Sequence, residues 1–171
     1  NGTLESKKNK CGVNYISDGV EICWGISEYG SKTYTVQYEI TNFVIELNDS
    51  QMIYWTLIPH ELSDKPEYTY IKIYSDFLYD DDLPVWGYGN YGGTAYVHNG
   101  YIEMQSDGQL DTDEYMTILV KFPLGTFNTM NSLKHNFDYY YNMVQEGSTP
   151  YKKLSSESIA LFVYFLIVII P

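Results

Sequence analysis

Apolar and polar side chains alternate regularly at the start of residues 33–58, and the rest of the chain is organised around this stretch. Its apolar positions are Tyr34, Val36, Tyr38 and Ile40, and the polar positions between them are Thr35, Gln37, Glu39 and Thr41. A period of two places successive side chains on opposite faces of a β-strand. Tyr, Val, Ile and Thr also suit a half-buried pleated surface. The pattern therefore predicts a strand, a polar turn at Asn48-Asp49-Ser50 and a second strand over Gln51–Ile58.

Further strand patterns, each bounded by turn residues, occur on both sides of this stretch. They cover residues 11–16, 20–26, 68–74, 94–98, 101–105 and 115–122, whereas residues 85–91 are aromatic and rich in glycine. Asn99-Gly100 lies between two alternating runs and favours a two-residue hairpin turn, because both residues tolerate positive φ. Many short strands with turns between them predict a mainly β fold, an antiparallel β-sandwich of the Ig-like or jelly-roll-like kind.

The pattern changes from strand to helix after residue 127. Leu133, Phe137, Tyr140, Tyr141 and Val144 recur at helical spacing. Asn131 or Ser132 is a candidate N-cap, and Gly147 a candidate end. We therefore predict a β-sandwich domain over residues 1–127, an amphipathic helix over 128–147, a linker over 148–157 and a separate apolar segment over 158–171.

The apolar segment contains an uncharged run of 12 residues, from 159 to 170, followed by Pro171. A membrane-spanning helix needs about 20 such residues. A buried strand or helix would also explain the run. Its position at the end of the given chain, after a polar linker, favours the start of a transmembrane helix.

The chain is acidic, with a formal net charge of −12, and 44 % of its residues are hydrophobic. This composition is sufficient for a folded core. The negative charge repels phosphate backbones, so we expect no nucleic-acid partner.

Cys11 and Cys23 are the two cysteines of the chain. A bridge between them would close a short loop and would require an oxidising compartment. Two free thiols remain the alternative, because sequence alone does not give the geometry.

Gly87, Gly89 and Gly92 form a literal G-x-G-x-x-G pattern. A dinucleotide site needs a helix after these glycines, whereas the residues from Thr94 onward alternate as a strand. We therefore expect a turn or bulge here and no cofactor.

Two acidic clusters could supply oxygen ligands, and they consist of Asp76, Asp80, Asp81 and Asp82 and of Asp107, Asp111, Asp113 and Glu114. Asp80, Asp81 and Asp82 form a candidate calcium site, since crowded carboxylates suit that ion. Solvated acids at turns are the alternative. His60, His98 and His135 lack the spacing of metal ligands, and we find no motif of a known catalytic type.

Aromatic residues are concentrated between residues 86 and 101. Exposed rings on a β-sheet face can stack against sugars or peptides at a low entropy cost. The candidate ligand-binding residues are Trp86, Tyr88, Tyr91, Tyr96 and Tyr101. Packing of these rings between strands is the alternative.

Several segments resemble the extracytoplasmic domain of the YciQ-like family, bacterial membrane proteins of unknown function. They are the strand around Trp24, residues 33–44, residues 53–58, the turn at 106–110 and residues 115–127. The resemblance covers about two thirds of the chain. It implies an all-β domain outside the membrane, with a signal peptide and first strands before it and transmembrane helices after it. It implies no catalytic residues.

These observations lead to a functional hypothesis. We expect a non-enzymatic domain on the extracytoplasmic side of a bacterial cell membrane, attached to the membrane through its C-terminal segment. Its role would be binding, sensing or structural support in the cell envelope, with a glycan or protein partner. The alternatives are a carbohydrate- or peptide-binding module that uses the exposed Trp and Tyr residues, and a hydrolase of unrecognised type.

Overall fold

A computed structural model describes residues 10–17, 19–25, 30–62 and 64–147. The described part of the chain is mainly β and contains three antiparallel sheets and one short helix. The strands are β1 (Cys11–Ile16), β2 (Gly19–Trp24), β3 (Ile45–Glu46), β4 (Gln51–Ile58), β5 (Tyr70–Ile73), β6 (Val85–Tyr88), β7 (Ala95–His98), β8 (Tyr101–Gln105) and β9 (Met116–Phe122), and the helix is α1 (Phe137–Gly147).

The chain divides into two compact units, Asn1–Glu39 and Ile40–Pro171. This division was not predicted, because the alternating pattern runs across it without a break. The predicted linker and the apolar segment 158–171 lie outside the described residues. No helix within the described residues has the length and apolar character needed to cross a lipid bilayer.

In the first unit, β1 and β2 form an antiparallel hairpin, as the sequence predicts. On one face of this hairpin, the Asn14 side-chain amide donates a hydrogen bond to Glu21 over 2.8 Å, and Ile16 on the same face is exposed. The opposite face carries Val13, Tyr15 and Ile22, which are exposed. Both faces of the hairpin therefore present apolar side chains to solvent.

The predicted strand over residues 34–40 is wrong, because the structure has no strand there. Asn42 has a φ of 52°, which turns the backbone just before β3. This turn is held by two hydrogen bonds, from Met130 N–H to Asn42 Oδ1 and from Asn131 Nδ2 to the Asn42 carbonyl. β3 is therefore short, although the alternation before it is regular.

The second unit is built on a four-stranded sheet with the order β3-β4-β9-β6. β9 pairs with both β4 and β6, and alternate residues of β9 serve two cores. Ile118 and Val120 belong to the first core, and Leu119 between them belongs to the second. This strand is therefore buried on both faces, which explains its nearly continuous apolar sequence.

The first core lies between the four-stranded sheet and a three-stranded sheet with the order β5-β8-β7. Ile102 and Met104 of β8 are fully buried there, together with Met116 and Ile118 of β9. The predicted Asn99-Gly100 turn is confirmed, with φ values of 51° and 79°. This turn fixes the register of β7 and β8, and with it the faces on which their side chains lie.

The second core lies between the other face of the four-stranded sheet and α1. The helix begins at Phe137 and not at residue 128, and Leu133 is not helical. Residues before the helix pair with β3 instead, since Leu133 N–H donates to the Glu46 carbonyl over 2.9 Å. The predicted caps Asn131 and Ser132 therefore do not begin the helix.

Candidate functional site

The solvent-facing side of the three-stranded sheet carries a group of exposed aromatic residues. The register places Tyr70 opposite Gln105, and both Lys72 and Tyr96 opposite Glu103. Their neighbours along each strand point into the first core, so these side chains point away from it. We call this surface the tyrosine face, and it consists of Tyr68, Tyr70, Lys72, Tyr96, His98, Tyr101, Glu103 and Gln105.

Glu103 lies at the centre of the tyrosine face, on the middle strand β8. The Tyr70 hydroxyl donates a hydrogen bond to Glu103 Oε1 over 2.9 Å from one side. The Tyr96 hydroxyl donates to Glu103 Oε2 over 3.4 Å from the other side. Both tyrosines therefore reach across the sheet toward one carboxylate.

Tyr68 extends the same arrangement, because its hydroxyl donates to Gln105 Oε1 over 3.2 Å. Tyr68, Tyr70 and Tyr96 nevertheless remain 60 %, 49 % and 36 % exposed. Their hydroxyl ends are held while their ring surfaces stay open to solvent. A ligand that stacks on them would not have to immobilise free rotors, which reduces the entropy cost of binding.

The electrostatics of the face keep these phenols neutral. The hydrogen bond to Glu103 raises the pKa of Tyr70. Partial desolvation, and then the Glu103 charge, raise the pKa of Tyr96. Both side chains therefore act as O–H donors at neutral pH.

Lys72 adds a cation to this face. Its Nζ lies 3.5 Å from the centroid of the Tyr101 ring. This is a cation–π contact, in which the ammonium is attracted to the negative face of the ring. Tyr96 also touches His98 edge to face, with centroids 6.4 Å apart.

The sequence predicted one exposed platform formed by Trp86, Tyr88, Tyr91, Tyr96 and Tyr101, and this grouping is wrong. Trp86 packs against Phe137 of α1, with ring centroids 5.5 Å apart. Tyr88 and Tyr91 are buried, at 6 % and 3 % exposure. Only Tyr96 and Tyr101 lie on the tyrosine face, and a ligand-binding role for them stays a prediction.

The residues that sequence reasoning missed are Tyr68 and Tyr70. The predicted strand over residues 68–74 places Tyr68 and Tyr70 on the same face, because they are two positions apart. They lie about thirty residues before Glu103 in the chain, so a search for local aromatic clusters could not join them to it. The available signal was the two-residue spacing of Tyr68, Tyr70 and Lys72, which places all three on one face of that strand.

The glycine-rich pattern at residues 87–92 has a packing role. Gly89 has a φ of 121°, and a Cβ there would lie 1.8 Å from the Tyr115 carbonyl oxygen. β7 follows the pattern, where a dinucleotide site would need a helix. The local geometry therefore lacks the helix N-terminus that would receive a pyrophosphate.

The proposed calcium ligands Asp80, Asp81 and Asp82 receive no support from the structure. Among the described residues, no three His, Cys, Asp or Glu side chains are grouped closely enough to hold a metal ion. The Asp80 carbonyl instead accepts a hydrogen bond from Leu83 N–H over 3.0 Å. This bond closes a tight turn of the kind that solvated acidic residues commonly occupy.

Cys11 and Cys23 are free and exposed. Cys11 lies opposite Trp24, and Cys23 lies opposite Gly12. Since Cys11 and Gly12 are consecutive in one strand, the two thiols belong to opposite faces of the hairpin. A bridge between them would require the backbone to move.

A shallow cleft of about 210 Å³ lies beside the N-terminus of α1, lined in part by Asp49 and Lys121. Burial acts to raise the pKa of Asp49, but hydrogen bonds from Phe137 N–H and Ser50, together with the Lys121 charge, lower it overall. Asp49 is the only carboxylate among the described residues that line the cleft. A glycosidase-type mechanism would need two.

Comparison of the chain with protein-family models, with curated proteins and with solved structures finds no match. Functional interpretation therefore depends on the geometry of the described residues. The tyrosine face is the surface whose side chains are both exposed and held in place, and it is the candidate functional site.

Proposed function

We propose that this chain is a non-enzymatic, extracytoplasmic, glycan-binding domain of a bacterial membrane protein, and that the tyrosine face is its binding surface. The observation that supports this proposal is the pair of hydrogen bonds from Tyr70 and Tyr96 to Glu103. They hold two exposed rings on either side of a polar centre.

Such a surface matches the chemistry of a sugar. The apolar face of a pyranose ring stacks on an aromatic ring, and its hydroxyl groups need acceptors nearby. An ionised carboxylate offers about four acceptor positions. Glu103 accepts two hydrogen bonds from tyrosines, which leaves acceptor positions for a ligand.

A binding role without catalysis fits the charges of this face. Glu103 is the only Asp or Glu among the eight residues that define it. Hydrolysis of a glycosidic bond ordinarily requires a second carboxylate, about 5 to 10 Å away. The face can therefore hold a glycan but lacks the pair of groups that would cleave it.

The proposed location depends on the sequence. The uncharged run over residues 159–170 and the resemblance to the YciQ-like family support attachment to a bacterial membrane. The finer fold assignment, a β-sandwich, is part of this proposal, and it is supported by the first core between the two larger sheets. Protease treatment of intact spheroplasts tests the location, because an extracytoplasmic domain is digested while a cytoplasmic marker survives.

Binding is tested by isothermal titration calorimetry with soluble cell-wall and chitin-type oligosaccharides. Tyr70→Ala and Tyr96→Ala should each weaken binding at least about fivefold, since one stacked ring contributes about 1 kcal/mol or more. Tyr139→Ala is the matched control, because Tyr139 is an exposed tyrosine of α1, 52 % accessible. Absence of binding to every glycan would contradict the proposal, and cleavage of a bound glycan would favour the hydrolase alternative.

A further inference from the structure

Among the described residues, none forms an ion pair with the carboxylate at the centre of the tyrosine face. Glu103 is half-buried, and among the described side chains it accepts hydrogen bonds only from two neutral tyrosine hydroxyls. Lys72 lies directly opposite Glu103 in the strand register. The two nevertheless form no ion pair.

Lys72 is directed to the Tyr101 ring instead, at 3.5 Å from the centroid. A cation on this face is therefore held by a ring surface, and it forms no ion pair with the carboxylate opposite it in the register. The contact between Lys72 and Tyr101 is a case in which a ring of the tyrosine face binds an ammonium group. Glu103 is half-buried and accepts two hydrogen bonds, so acceptor positions on its carboxylate remain for a second cation.

The net charge of the whole chain also favours a cationic ligand. The formal net charge is −12, and the sequence contains 10 basic residues against 22 acidic ones. Such a field attracts cations and repels anions over distances comparable with the Debye length, about 10 Å at moderate salt. An anionic glycan would be opposed by this field, and a neutral glycan would gain nothing from it.

We infer that the ligand of the tyrosine face carries a free ammonium group, as an amino sugar does. This inference rests on the proposed glycan-binding function and names the class of glycan. The ammonium forms a charge-assisted hydrogen bond with Glu103, and the rings of Tyr70 and Tyr96 lie on either side of it. The remaining sugar units stack on the exposed tyrosines.

The test compares two hexasaccharides that differ only in their amino groups. One is the hexamer of glucosamine, studied at a pH at which its amines are protonated, and the other is its neutral N-acetylated form. We expect the charged hexamer to bind at least about tenfold more tightly, since a charge-assisted bond and a cation–π contact are gained together. Equal affinities, or binding only of glycans without an amine, would overturn the inference and leave the glycan-binding proposal intact, whereas absence of binding to every glycan would contradict the proposal itself.

Two variants separate the local site from the general field. Glu103→Gln keeps the tyrosine hydrogen bonds possible but removes the charge, so it should abolish the preference for the charged hexamer. Asp81→Asn is the matched control, because it removes one exposed charge from a turn outside the face. An equal loss in both variants would show non-specific attraction and would overturn the inference. Lys72→Met removes the competing cation of the face and should increase the preference for the charged hexamer, and a decreased preference would overturn the inference.

Discussion

The Tyr91 hydroxyl lies so close to Gly87 that a Cβ on residue 87 would be 2.1 Å from its oxygen. This hydroxyl is buried and has no hydrogen-bond partner among the described residues. The first glycine of the G-x-G-x-x-G pattern is therefore needed to make room for a tyrosine four residues later. The pattern is explained by packing beside the first core.

Gly87→Ala should destabilise the protein by about 1 to 3 kcal/mol, because the added methyl group overpacks a buried site. Urea unfolding followed by circular dichroism measures this change. Gly108→Ala is the control, since a Cβ there would meet no atom within 4 Å. Equal stability of the two variants would show that Tyr91 does not occupy the space beside Gly87.

Tyr91→Phe should leave stability unchanged or raise it by about 1 kcal/mol, because it removes a buried polar group that lacks a partner. It should also reduce the cost of Gly87→Ala. Without the oxygen, the nearest remaining atom to the new methyl group is a ring carbon at 3.1 Å. A double-mutant cycle measures this coupling, and strictly additive effects would contradict it.

The protein should lose stability between pH 10 and pH 12. Burial raises the pKa of Tyr91 from 10.0 to about 12, so the folded state favours the neutral phenol. The stabilisation is complete below pH 10 and is lost as the pH rises through the folded pKa, amounting to about 2 to 3 kcal/mol. Urea unfolding at pH 8 and pH 11.5 should show a smaller loss for Tyr91→Phe than for the unmodified protein, and equal losses would be inconsistent with this assignment.

Asp49→Ala should cost about 1 kcal/mol, because Asp49 Oδ1 accepts a hydrogen bond from Phe137 N–H over 2.8 Å at the start of α1. The folded state lowers the pKa of Asp49. Its contribution is therefore present above the ordinary pKa of 3.8 and is lost as the pH falls through the folded value. Unfolding at pH 6 and pH 2 should show the difference between variant and parent closing at the lower pH, while Asp49→Asn, which retains an acceptor, should cost less.

Both thiols of the folded protein should react rapidly with a soluble aromatic disulfide reagent, giving two equivalents per chain, because both are exposed. Oxidised glutathione should form mixed disulfides and not an internal bridge, since the register places Cys11 and Cys23 on opposite faces of the hairpin. Intact-mass measurement distinguishes these products. Loss of two hydrogens without an added glutathione would mean that the hairpin register can shift.

Sequence reasoning was accurate where a local signal determined the structure. Gln51–Ile58 is a strand with the predicted bounds, and Asn99-Gly100 turns as expected. It failed over residues 34–40, where the outcome depends on hydrogen bonds between Asn42 and the distant segment at Met130 and Asn131. An alternating pattern shows that a strand is compatible with the sequence, but a partner at the correct position must also be available.

The prediction of the candidate site was also correct only in part. Tyr96 and Tyr101 were identified because they lie near each other in the chain, but Tyr88 and Tyr91 were grouped with them for the same reason and are buried. The central role of Glu103 could not be predicted, because it arises from tyrosines on two different strands. Residues that meet across a sheet are recognised only once the strand order is known.

The hydrogen bond from Phe137 to Asp49 has a consequence for the order of folding. The two residues are 88 positions apart, so the helix obtains this cap only after the turn before β4 has reached it. An isolated helix of 11 residues is marginal in water without such help. We therefore expect α1 to form its native contacts after the folding transition state. Destabilising substitutions along α1 should then accelerate unfolding and leave the folding rate nearly unchanged.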